Sequence, residues 1–157
     1  MKSVLGLEIR QGKPFASLEE EVFLNVLRTG DALLQGETEV LRAAELTFAQ
    51  YNVLRILRGA GANGASCGEV AERMVNRDPD LTRLLDRLES RGLVHRSRDA
   101  RDRRIVVATI TDAGKEILKS LDAPVARVHR ERLRHMTREQ LETLAELLAL
   151  ARSSPTD

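Results

Sequence analysis

The segment Ser66-Cys67-Gly68-Glu69 has the spacing of a capping box, in which a hydroxyl accepts from the amide three residues on and a carboxylate reaches back. A helix therefore opens at Ser66, and Val70, Ala71 and Met74 keep a helical spacing behind it. Asn76-Arg77-Asp78-Pro79 stops that helix and restarts another, with Asp78 as N-cap and Pro79 at the first helical position. Leu81, Leu84, Leu85 and Leu88 then fall at i, i+3, i+4 and i+7, which makes one inward stripe. The opposite face carries Pro79, Arg83, Asp86, Arg87 and Ser90, with Thr82 on its flank. Gly92 ends the helix, and residues 93–98 and 105–110 read as two strands around a charged tip. The spacing thus predicts a mainly α chain with a small β-hairpin wing behind a helix-turn-helix.

Charge is placed rather than diffuse. The chain has 25 Lys+Arg against 24 Asp+Glu and a formal net charge of +1, so a general attraction to polyanions is excluded. From Arg91 to Arg104, however, there are six arginines (91, 96, 98, 101, 103, 104) against two aspartates (99, 102). A basic hairpin directly after a helix-turn-helix is a pattern suited to DNA. Catalytic signatures are lacking: there is no G-x-x-x-x-G-K loop, dinucleotide glycine fingerprint, G-x-S-x-G elbow or H-E-x-x-H pair. The sequence therefore reads as a non-enzyme with no cofactor. His95, His129 and His135 lack metal-ligand spacing, so no metal is expected. Glu8, Arg10, Lys13 and Glu19 interrupt every apolar run near the start, no stretch of 18 apolar residues exists, and a cytoplasmic chain with no membrane partner is expected.

Three regions organise the 157 residues. Residues 1–46 read as an arm through Pro14 and a dimerisation helix from Ser17 to Leu34. Residues 47–111 form the winged helix-turn-helix, opening with a helix over 47–57 and a glycine loop over 58–65. Residues 112–157 supply two further helices, one capped by Thr111 and running toward Met136 with Pro124 as an expected kink, the other capped by Thr137. The terminal helices carry more apolar residues than a small winged helix needs, and so are expected to pack against a second copy. Phe15, Phe23, Phe48 and Tyr51 are the chain's only aromatics, suited either to a ligand pocket or to the core.

With these elements in place, the chain resembles the MarR (multiple antibiotic resistance regulator) family of winged-helix transcription factors. The family's wing pattern of Asp, any residue, Arg, three residues, Val, any residue, Leu, Thr appears as Asp102-Arg103-Arg104-Ile105-Val106-Val107-Ala108-Thr109-Ile110-Thr111, with Ala108 in place of Val and Ile110 in place of Leu. Residues 81–94, Leu81 to Val94, resemble the family's recognition helix leading into the wing. The resemblance implies an interlocked homodimer on a palindromic double-stranded DNA operator, with recognition helices in successive major grooves and wings in flanking minor grooves. It also implies a repressor released by a small aromatic or phenolic effector.

The resemblance implies that Arg104 enters the minor groove and that Asp102 orients it. Physics agrees, because a guanidinium suits a narrow, electronegative groove and a carboxylate two residues away can lock its fork. Arg96, Arg98, Arg101 and Arg103 read as phosphate contacts. Thr82 and Arg83 lie where family members touch bases, and Arg can bridge guanine O6 and N7. Arg87 suits either DNA or a structural ion pair, and Asp86 is expected to pair with Arg83 or Arg87 or to accept from a cytosine amino group. Two alternatives remain. One is a winged-helix protein-interaction module without DNA binding, which the arginine-rich wing opposes. The other is redox sensing through Cys67 in the first turn of a helix, where a lone small residue is more often simply tolerated.

Overall fold

The computed structural model describes residues 3–76, 80–99 and 102–153. Its elements are α1 (Val4–Glu8), α2 (Leu18–Ala43), α3 (Phe48–Ala60), β1 (Ala65–Ser66), α4 (Cys67–Arg73), α5 (Leu81–Ser90), β2 (Val94–Arg98), β3 (Val106–Ile110), α6 (Asp112–Leu133) and α7 (Arg138–Arg152). The result is mostly helical with one small antiparallel sheet, a winged helix-turn-helix as expected.

Helix α3 is the centre of the core. Thr47 and Gln50 close a capping box at its start, and Tyr51, Val53, Leu54, Ile56 and Leu57 are all buried along it. Against it pack the stripe Leu81, Leu84, Leu85 and Leu88 of α5, Val70 of α4, Leu41 of α2, and Leu118, Leu121 and Val125 of α6. Buried Asn52 on α3 accepts from the amide of Val75 at 2.9 Å, so the turn after α4 is tied to the core by a satisfied polar group.

Several expectations need correction. Residues 1–14 are not an irregular arm throughout: Ser3 accepts from the Gly6 amide and caps the five-residue α1, whose Leu5 is buried. Helix α2 runs nine residues past Leu34, to Ala43, because burial of Gly36, Glu37 and Leu41 against neighbouring helices overrides a polar local sequence. Helix α3 continues to Ala60 and is followed by a 3-10 turn over Gly61–Asn63, where a loop was expected from residue 58. The N-cap of α5 is Asp80, which accepts from the Arg83 amide, rather than Asp78; Arg77, Asp78 and Pro79 lie outside the described residues. Helices α4 and α6 end at Arg73 and Leu133, slightly before the expected limits.

The wing is also larger than a hairpin. Strand β1 pairs with β3, so the sheet order is β1-β3-β2, with Ala65 opposite Ala108 and Arg96 opposite Ala108 on the other side. Two glycines permit the close approaches around it. A Cβ on Gly64, whose φ is +66°, would lie 2.3 Å from the Ala108 carbonyl oxygen. A Cβ on Gly114 would lie 2.4 Å from the Leu93 carbonyl oxygen and 2.7 Å from Ile110, where the first turn of α6 abuts the sheet.

This packing predicts that Gly114→Ala destabilises the fold by about 1–3 kcal/mol, the usual cost of overpacking a closed site. Urea unfolding checks it: the midpoint should fall with the slope unchanged. An unaltered midpoint would show that α6 does not abut the sheet in this way.

Candidate nucleic-acid interface

The inward stripe fixes what α5 presents outward. With Leu81, Leu84, Leu85 and Leu88 buried, Thr82, Arg83, Asp86, Arg87 and Ser90 are exposed. Arg83 lies 4.0 Å from the carboxylate of Asp80 and its side chain is otherwise largely solvated. The exposed helix face is therefore polar, mixed in charge and accessible.

Around the tip of the wing the described residues bond to one another through backbone and side chains. The Asp99 amide donates to the Ile105 carbonyl and the Ile105 amide donates to that of Asp102, at 2.9 Å each. Arg98 donates through Nη1 to the Arg103 carbonyl at 2.7 Å. Asp102 accepts three bonds from Arg104: from its backbone amide at 3.0 Å, from Nε at 3.1 Å and from Nη2 at 3.0 Å. The guanidinium is held as a fork-to-fork pair while its side chain stays 91% exposed. Donation from the Arg104 side chain, and then from its amide, holds the Asp102 carboxyl below its ordinary range. A depressed folded-state value means that the pairing is present above the unfolded value and is lost as pH falls through the folded one, so the lock is complete at neutral pH. Among the expected contacts Arg103 is exposed at the same tip, and Arg101 lies outside the described residues.

Two arginines of the basic run point elsewhere. Arg91, the residue following α5, donates to the carbonyls of Glu45 at 2.6 Å and Ala44 at 3.2 Å and so caps the end of α2. Arg96 turns onto α5, where it pairs with Glu89 and Asp86. Asp86 thus finds Arg96 rather than the expected Arg83 or Arg87. Strand parity could have revealed this: Arg96 shares a face with buried Val94. Sequence alone did not mark Glu89 or Asn52, nor the capping role of Arg91, because each is defined by a partner on another element: Arg96 on β2, Val75 after α4, and the carbonyls of Ala44 and Glu45 after α2.

A second feature is a cavity of about 210 Å³ between α2, α3 and α6, with Leu33, Phe48 and Val128 among its apolar walls. His129 Nε2 lies 2.9 Å from a Glu37 carboxylate oxygen there, and Arg132 lines the same space. Of the four aromatics only Phe48 reaches this cavity; Tyr51 is in the core, Phe15 lies beside α1 and Phe23 is exposed. Cys67 is half-buried and packs against the core in the manner of a small apolar side chain. Among the described residues no cluster of His, Cys, Asp or Glu could hold a metal ion, and no helix is long and apolar enough to cross a membrane.

Comparison with known proteins agrees with this geometry. Residues 46–106 match the sequence pattern of the MarR family. The HTH-type transcriptional repressor MdtR of Bacillus subtilis is 33% identical over 129 residues, which span 77% of this chain and 79% of the relative. Among solved structures, a MarR transcription factor from Planctomyces limnophilus is 40% identical, covers 87% of this chain and 98% of its own, and superimposes with a TM-score of 0.66. A mutant MarR from E. coli, complexed with operator DNA, is 27% identical, covers 96% and 99% of the two chains and gives a TM-score of 0.72. Members of this family are transcription regulators rather than enzymes. With the helix-turn-helix, the locked wing arginine and these relatives together, the chain belongs to the MarR family of DNA-binding transcription regulators.

Proposed function

We propose that this regulator acts in the cytoplasm as a homodimer on a palindromic operator, as a repressor released by a small aromatic or phenolic ligand. The observation that carries the DNA contact is Arg104, which is locked by Asp102 yet fully presented to solvent, beside a recognition helix whose polar face is open. A guanidinium fixed before DNA arrives loses little freedom on entering a minor groove. The operator complex of the E. coli relative supports the same use of the fold.

The terminal helices support the dimer. No described residue of α7 is buried in the isolated protomer, and Leu150 is 69% exposed. Opposite it along α2, Leu18, Val22, Phe23 and Val26 are exposed as well. So much apolar surface on two adjoining helices is stable in water only when covered, and a symmetric second copy covers both at once. A two-fold protein in turn requires half-sites roughly 10 base pairs apart, or a multiple of that spacing. Repression is supported by the repressor name of the B. subtilis relative. Effector release is supported by the cavity between α2, α3 and α6, because a ligand there would touch the proposed dimer helix α2 and the core helix α3 together.

Light scattering at micromolar concentration should give the mass of a dimer; a cooperatively melting monomer would contradict the proposal. Thr82→Ala and Arg83→Ala should each lower discrimination by about 1–3 kcal/mol at particular base pairs, read by competition against operator variants. Equal loss of specific and non-specific affinity would show that neither reads bases. Arg104→Ala should weaken operator binding more than Asp102→Ala, and should flatten the dependence of log affinity on log salt by about one unit. Wild-type affinity with an unchanged slope would remove the wing from the groove.

A further inference from the structure

Strand β2 alternates its faces, and buried Val94 fixes the face on which Arg96 stands. That face meets the last turns of α5. There the Arg96 backbone amide donates to Glu89 Oε1 at 2.9 Å, its Nε donates to Glu89 Oε2 at 2.8 Å, and its Nη2 donates to Asp86. Asp86 and Glu89 are three residues apart and so occupy one side of the helix. Only 23% of the Arg96 side chain is exposed, against 91% for Arg104. The Glu89 carboxyl is held below its ordinary range by the Arg96 side chain first and its amide second. One guanidinium shared between two carboxylates leaves the cluster with a net negative charge, which is the wrong sign for a phosphate contact.

We propose that Arg96 is a positioning residue that fixes the recognition helix relative to the wing, and thereby sets the separation of major-groove and minor-groove contacts that the protein accepts. The proposal rests on the DNA-binding reading above. Both the strand backbone and the side chain of Arg96 are tied to α5, so the clasp resists both translation and rotation of β2 against the helix. Arg104 stands in the tip turn two residues before β3, whose pairing with β2 runs from Val94 opposite Ile110 to Arg98 opposite Val106, so a shift of β2 against the helix moves the strand that carries the tip. A planar fork with several donors can make these bonds together, whereas the point charge of lysine cannot.

The test uses the full chain and a DNA duplex that the wild-type protein selects from a random-sequence library. A second duplex carries one extra base pair between each major-groove half-site and its flanking minor-groove tract. The wild-type protein should bind the second duplex at least about tenfold more weakly, the scale of one lost specific contact. Arg96→Gln should bind the first duplex about tenfold more weakly with an unchanged salt slope, and should discriminate between the two duplexes by no more than about twofold. Glu89→Gln, which keeps the arginine charge, should show the same loss of discrimination. Arg96→Lys should fail to restore it, which separates the clasp from a simple charge even if the glutamine variant melts early.

A salt slope lowered by about one unit in Arg96→Gln, with discrimination intact and lysine restoring affinity, would make Arg96 a phosphate contact and overturn the proposal. Wild-type behaviour of both Arg96→Gln and Glu89→Gln would overturn it equally. Arg104→Ala in the same titration reports separately on the groove reading: if it binds as the wild type does, that reading fails whatever Arg96 shows.

Discussion

Burial of Leu81, Leu84, Leu85 and Leu88 against α3 determines the rotation of α5 about its own axis, and which side chains that helix presents to solvent follows from that rotation. Four buried leucines represent several kcal/mol of apolar transfer, at about 1.5–3 kcal/mol for each side chain fully removed from water. No surface charge pair on α5 competes with that. Thr82, Arg83 and Arg87 are therefore outward because the leucines are inward, and only a rotation of the helix by about half a turn would exchange the two faces. Helix α3 is the other half of the contact, and through Asn52 it also holds the turn leading toward α5.

The arginines between 91 and 104 divide their labour according to geometry. Arg91 caps α2 and Arg96 clasps α5, so two of the six positive charges are committed to holding elements together. Arg98 braces the tip through the Arg103 carbonyl. Arg104 combines a fixed orientation with full exposure. Among the described residues, the arginines of the run that stay exposed at the tip are accordingly fewer than the sequence count suggests.

The helix-turn-helix and wing were legible because their signals are local. The capping box at Ser66, the leucine spacing of α5 and the wing pattern ending at Thr111 each act within a few residues, and each forms as read. Elements that depend on distant partners were less legible. Strand β1 exists because Ala65 and Ser66 meet β3 some forty residues later, and α2 outruns its polar sequence because its far end is buried. At the wing, the Asp102–Arg104 lock needed only two residues of separation and was readable. The Arg96 clasp needed the approach of β2 to α5, and the α5 cap is Asp80, whose carboxylate accepts the Arg83 amide.

The proposed two-fold partner rests on the exposed apolar faces of α2 and α7, and the proposed placement of two such units along a duplex rests on α5 and the wing. The most direct measurement is chemical footprinting of the selected duplex, with one reagent probing guanine N7 in the major groove and another probing the minor groove. Two major-groove protections about 10 base pairs apart, flanked on the outside by minor-groove protections that disappear in Arg104→Ala alone, would match this arrangement. A single asymmetric major-groove protection, or minor-groove protection that persists without Arg104, would contradict it.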